Sequence, residues 1–162
     1  MYAPTDSHWA AVKCILRYLQ GTIIYDLHIT RSSSFVLHGF TNADWAGNID
    51  DRKSTGGYLV FFCQKLIARK SGKQYTIARS STEAEYKGLA DDTVEVIWLQ
   101  YLLTELQIPS VSAPTIWYDN LSATYLSVNP IFHARTKHVE VDYHFVWDRV
   151  AKKEIHIRFI SS

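Results

Sequence analysis

The chain is short of cysteine, of charge imbalance and of long apolar runs. Only Cys14 and Cys63 are present. Both sit in apolar stretches, with no Cys-x-x-Cys and no His/Cys ligand spacing. That argues against a structural zinc site and for a reducing, intracellular compartment, cytoplasm or nucleus. Lys and Arg number 17 against 16 Asp and Glu, a formal net charge of +1. Bulk charge therefore announces no nucleic-acid partner, and any basic surface must be local. The longest apolar run, YLVFFC at 58–63, is far too short to span a membrane. The opening MYAPTDSHW lacks the charged start and apolar core of a secretory leader, so none is expected. Linker-like sequence is confined to RSSS at 31–34, and there is no internal repeat.

What is present suits one core. The 162 residues are 47% hydrophobic and 20% charged, an ordinary globular balance. Residues 5–20 carry Trp9, Val12, Leu16 and Leu19 at helical spacing, with Thr5 or Asp6 to cap and Gly21 to stop. A short strand is predicted over 23–29. Three strands follow, at 35–41, 57–63 and 65–69, with a fourth piece at 75–78 and a turn at Gly56-Gly57. A long helix is predicted from Ser81 to about Leu106, with Ser80 and Glu83 at capping-box spacing. Its apolar second half, VEVIWLQYLLTEL, predicts burial on most sides. Then come a strand at 115–119, a short helix at 121–128, a helix over about 137–151 and a last strand at 155–160. Consecutive strands predict an antiparallel part, and the helix crossing to 115–119 predicts a parallel pair.

Carboxylates mark the candidate chemistry. Asn42 and Asp44 are two apart in a strand, so they share a face. Glu83 and Glu85 open the long helix, and Asp119 ends a strand before a helix start. Carboxylates meeting from three elements repel one another unless they hold a hard cation such as Mg²⁺. Structural readings stay open beside this one. Asp119 can be a helix cap, Glu83 a capping-box partner, Glu85 a solvated first-turn acid and Asp44 part of a turn with Asn48.

The longer motifs are more specific. ADWAGNIDDRKSTGGYLVFF, KSGKQYTIARSSTEAEYKGLA, IWLQYLLTEL, DNLSATYLSVNPIFHARTKHVEVDYHFV and IHIRFISS follow in order. Together they resemble the ribonuclease H domain of copia-type, particularly plant, LTR retrotransposon polyproteins. Residues 3–30 resemble the segment that joins the reverse transcriptase to that domain. The resemblance implies a connection-like segment at 1–33 and a ribonuclease H-like domain at 34–162. It implies an α/β fold: a five-stranded mixed sheet, strands 1–3 antiparallel, with helices on both faces, plus the N-terminal helix and short strand. It also implies cleavage of the RNA strand of RNA/DNA hybrids by two Mg²⁺ (or Mn²⁺) ions held by four carboxylates.

The family's carboxylates carry over unevenly. Its strand-1 aspartate, the first acid of DADWAG, is Asn42 here; Asp44 is the second acid of that motif. Its helix glutamate matches Glu85 and its strand-4 aspartate matches Asp119. Its last aspartate falls beyond Ser162. Asn42 offers a neutral amide oxygen where the family places a bridging charge. Metal stabilisation of this chemistry is worth several kcal/mol and about 1.4 kcal/mol is tenfold in rate, so weak or absent cleavage is expected. Asp44 is a substitute-ligand candidate. The alternative is a non-catalytic nucleic-acid or protein-interaction module in a domesticated host protein.

One local basic stretch stands out. Residues 64–79 hold Lys65, Arg69, Lys70, Lys73 and Arg79 with no acid, beside Gln74 and Tyr75. The resemblance favours nucleic-acid contacts over a merely solvated strand and turn. Arg135, Lys137 and His138 join the nucleic-acid candidates; His133 and His138, five apart, suit no zinc pair. Trp147, where the family usually has Arg, is the tryptophan expected to be exposed.

Overall fold

The computed structural model describes residues 3–26, 32, 35–108, 112–119 and 140–161. The chain divides into two compact units, Met1–Arg31 and Ser32–Ser162. The first is built on one helix, α1 (Asp6–Thr22). Thr5 caps it, its Oγ1 accepting from the His8 backbone N–H while the His8 ring accepts from the Thr5 N–H at 3.1 Å. His8 thus fills the capping-box place usually held by Glu or Gln. Gly21 does not end the helix, which runs on to Thr22. Thr22 Oγ1 donates to the Tyr18 and Leu19 carbonyls, so the end is satisfied without a left-handed glycine. The strand predicted over 23–29 is not seen at its start. Residues 23–26 are turn and coil, and 27–29 lie outside the described residues.

Among the described residues the second unit is a sheet with two helices. A meander of β1 (Leu37–Asp44), β2 (Thr55–Phe62) and β3 (Lys65–Lys73) leads to α2 (Ser81–Glu105). Then come β4 (Thr115–Tyr118), α3 (Glu140–Ala151) and β5 (His156–Phe159). The sheet order is β3-β2-β1-β4-β5. β1–β2 and β2–β3 are antiparallel, whereas β1–β4 and β4–β5 are parallel. The helix predicted over 121–128 lies outside the described residues.

Strand bounds differ from the sequence reading in an instructive way. β1 runs three residues further, to Asp44, because β2 begins at Thr55 to pair with it. Gly56 and Gly57 are therefore inside β2, not in a turn before it. A Cβ on Gly57 would stand 3.0 Å from the Lys70 carbonyl oxygen, so glycine permits the close β3 approach. β3 extends to Lys73 on the same ladder, and 75–78 is not a strand. Cys63 belongs to the two-residue β2–β3 turn, at φ 61°.

The core lies between the sheet and α2 with α3. Leu37, Val60, Leu89, Val96, Ile116, Val146 and Ile155 are buried there together. Each such aliphatic side chain stabilises the fold by about 1.5–3 kcal/mol. Along β1 burial alternates: Leu37, Gly39, Thr41 and Ala43 face α2, and His38, Phe40, Asn42 and Asp44 face the other way. The second half of α2 is not buried on most sides. Val96, Ile97 and Leu99 are buried, but Val94, Trp98 and Tyr101 are exposed. Trp147 is half-buried against the core rather than exposed. Both helices end on non-glycine residues in the left-handed region, Gln107 at φ 56° and Lys153 at φ 57°. No helix among the described residues is long and apolar enough to cross a membrane.

Candidate active site

Three elements carry the candidate acids to one end of the sheet. The parallel register pairs Thr41 of β1 with Tyr118 of β4. The next residues, Asn42 and Asp119, therefore lie side by side at the carboxyl ends of two central strands, a favoured place for chemistry in α/β sheets. α2 crosses above them. Gly88 sets its height: a Cβ there would stand 3.2 Å from Thr41 Oγ1 and 3.8 Å from the Ala43 methyl. Glu85, one turn earlier, is half-buried, and its Oε2 accepts a hydrogen bond from the Tyr118 hydroxyl at 3.1 Å.

Tyr118 was not singled out in the sequence, yet it ties Glu85 to β4. It is fully buried. Burial, then the Glu85 and Asp119 charges, push its hydroxyl well above the ordinary phenol range, so it remains a donor. The signal was the alternation of TIWYD, which sends Ile116 and Tyr118 to the same buried face. Behind it Tyr86 stacks on Tyr143, with ring centroids 5.7 Å apart.

The other acids have different roles. Glu83 is buried and structural: its Oε2 accepts from the Arg79 N–H at 2.8 Å and its Oε1 from Lys87 Nζ at 2.7 Å. Ser80 Oγ accepts from the Glu83 N–H, completing a cap that reaches one residue further back than the usual box. Asp44 leans over the turn after β1, where a Cβ on Gly47 would collide with its Oδ2. The Asn48 side chain caps that turn by accepting from the Asp50 and Asp51 N–H groups. Trp45 closes it, Nε1 donating to the Ala78 carbonyl at 3.1 Å.

Asn42 is neutral and alternates onto the face away from α2. Glu85 Oε2 accepts a hydrogen bond from the Tyr118 hydroxyl. Among the described residues no three His, Cys, Asp or Glu side chains gather to hold a metal ion.

The basic stretch is divided by the pleat of β3. The β2–β3 register places Lys70 opposite Tyr58 on the α2 side, and Arg69 and Lys73 on the other. Lys70 pairs with Asp91 at 2.7 Å and Lys73 with Asp51 at 3.1 Å. Acids from elsewhere in the chain thus offset a run that contains none itself. Arg69 and Arg79 are exposed, and Lys65 is half-buried. Gln74 is half-buried, its Nε2 donating to the Ala84 carbonyl at 2.7 Å, which fastens the β3–α2 loop to the helix. Arg135, Lys137, His138 and His133 lie outside the described residues.

Comparison with known proteins decides the family. No protein-family profile matches the chain. It is 43% identical over 162 residues to the retrovirus-related Pol polyprotein from transposon RE2 of Arabidopsis thaliana, covering 100% of this chain and 11% of that protein. It is 42% identical over 159 residues to the retrovirus-related Pol polyprotein from transposon TNT 1-94 of Nicotiana tabacum, covering 98% of this chain and 12% of that protein. Homologues at 43% identity over the whole chain are thus copia-type Pol polyproteins of plant transposons. This Pol segment spans about a tenth of the length of those relatives, 11% and 12%.

The fold of the Pol segment is ribonuclease H-like. It superposes on the N-terminal RNase H domain of a Mycobacterium tuberculosis protein with TM-score 0.57 at 11% identity, over 79% of this chain and 84% of that one. It superposes on LC11-RNase H1, solved in complex with RNA/DNA hybrid, with TM-score 0.54 at 9% identity, over 77% of this chain and 85% of that one.

Proposed function

We propose that this Pol segment binds RNA/DNA hybrid and cleaves it weakly or not at all. The observation that carries the proposal is Asn42 beside Asp119 at the ends of β1 and β4, with Glu85 tied to β4 through Tyr118. Position favours chemistry there, and the amide removes the charge that a divalent ion would need. Mg²⁺ or Mn²⁺ occupancy is accordingly weak in this reading. Hybrid binding is supported by the ribonuclease H-like fold and by the neighbour solved with an RNA/DNA hybrid. Exposed Arg69 and Arg79 supply phosphate contacts. Intracellular placement, cytoplasm or nucleus, belongs to the same proposal.

The test is cleavage of an end-labelled RNA/DNA hybrid in Mg²⁺ and in Mn²⁺, beside a calorimetric metal titration. Little turnover and weak metal uptake are expected. Robust turnover by the unaltered chain would sink the deficiency. A second reading, a purely non-catalytic interaction module, is supported by the Tyr118–Glu85 bond, which gives Glu85 a structural partner. Restoring aspartate at Asn42 separates the two: a rise in metal uptake marks a damaged nuclease site, and no rise marks a binding module.

A further inference from the structure

A groove of about 350 Å³ lies between the first half of α2 and strands β2 and β3, with Asp142 of α3 also in its lining. Its floor is glycine. A Cβ on Gly72 would meet nothing within 4 Å, and Gly56 and Gly57 keep the adjoining strand bare. Its rim is Tyr75, which is 95% exposed. An aromatic ring so placed stabilises no core.

Two polar groups of the lining have unused capacity. Gln74 donates through Nε2 to the Ala84 carbonyl, which fixes its amide orientation, since a carbonyl can only accept. Its Oε1 is buried and accepts no hydrogen bond. Lys87 donates to Glu83 Oε1 at 2.7 Å and to Thr76 Oγ1 at 2.9 Å. An ammonium has three protons, and these bonds use two. Across the groove, Lys70 and Asp91 form an ion pair with both side chains about half exposed. Such pairs hold weakly and exchange readily for another anion.

A lone acceptor, an ammonium proton and a bare aromatic ring around a glycine floor match one chemical class. We propose that this groove seats one unpaired nucleotide, its base stacked on Tyr75, a base or sugar donor on Gln74 Oε1 and its phosphate at Lys87. The inference rests on the hybrid-binding reading, and adds that the protein prefers a hybrid ending in a single-stranded extension.

Fluorescence anisotropy with two labelled probes of equal length tests it: a blunt RNA/DNA hybrid and a hybrid with a short single-stranded overhang. The unaltered chain is expected to bind the overhang probe about tenfold tighter, the gain that stacking one base provides. Tyr75→Ala should abolish that gain, so that the variant binds the two probes alike. Gly72→Leu should do the same by filling the groove, with its thermal melt showing that the fold persists. Equal affinity of the unaltered chain for both probes, or a gain that survives both substitutions, overturns the proposal. If the blunt hybrid fails to bind while a Tyr75-dependent interaction with an unpaired oligonucleotide remains, the groove stands and the hybrid reading falls. If no probe binds, both fall.

Discussion

The Tyr118 hydroxyl donates to Glu85 Oε2 across 3.1 Å, joining the end of β4 to the first turns of α2. The donor is fully buried and the acceptor half-buried, so the bond links the core to the candidate site. Tyr118→Phe removes only the hydroxyl. A hydrogen bond to a charged group contributes roughly 1.5–3 kcal/mol, and the partial exposure of Glu85 brings the expected loss to about 1 kcal/mol. Urea denaturation checks it. An unchanged midpoint would mean that the bond carries no weight.

Asp92 predicts an unusual response to pH. It is fully buried in α2, neither carboxylate oxygen has a hydrogen-bond partner, and it faces Gly39 of β1. Burial, then the nearby Glu95 charge, raise it from 3.8 to about 8. Between those values the folded state holds a proton that the unfolded chain has released. Stability contributed by this group is therefore full below about pH 4, falls as pH rises, and levels off above about pH 8, by on the order of a few kcal/mol in all. Asp92→Asn should flatten that slope in melts recorded from pH 4 to pH 9. A slope unaltered by the substitution would assign it to other groups.

Gly39 and Asp92 should be energetically coupled. A Cβ on Gly39 would stand 2.5 Å from Asp92 Oδ2. Gly39→Ala is expected to destabilise by about 1–3 kcal/mol through overpacking. In an Asp92→Ala background the same change should cost much less. The interaction term of the double-mutant cycle is the measurement, and additivity would refute the contact.

The helix ends offer a gain. Lys153 adopts φ 57° just after α3, where its N–H donates to the Val150 carbonyl and the Glu154 N–H to the Arg149 carbonyl. Glycine suits that conformation better. Lys153→Gly should raise stability by about 0.5–1 kcal/mol, a rise of roughly 2–4 °C in Tm by calorimetry.

The element order was legible because each element carries a local signal. Ser80 ahead of α2 is a cap, and the apolar 58–63 run is a strand. Strand ends were not legible, since Gly56 and Gly57 read as a turn by themselves and become ladder residues only when neighbouring strands pair with them. Asn42, Glu85 and Asp119 were visible as motif residues. Tyr118 was not, because a tyrosine in a four-residue strand looks like core until its hydroxyl is seen to reach Glu85. The charge balance around 64–79 was not legible in isolation. Asp51 and Asp91 come from a distant turn and a helix, and no local window contains the pairs.

The parallel β1–β4 pairing has a consequence for folding. β1, β2 and β3 are joined by short connections, whereas β4 meets β1 only after all of α2 has been traversed. Contacts so distant in sequence carry the larger loop-closure cost and tend to form late. The meander with α2 is expected to be the early nucleus, and the floor of the site, where Asn42 meets Asp119, is expected to be absent until the end of the reaction. Low φ-values at Ile116 with higher ones at Val60 would be its kinetic signature; the reverse order would refute it. An intermediate lacking β4 would then be compact and largely buried, yet have no candidate site at all.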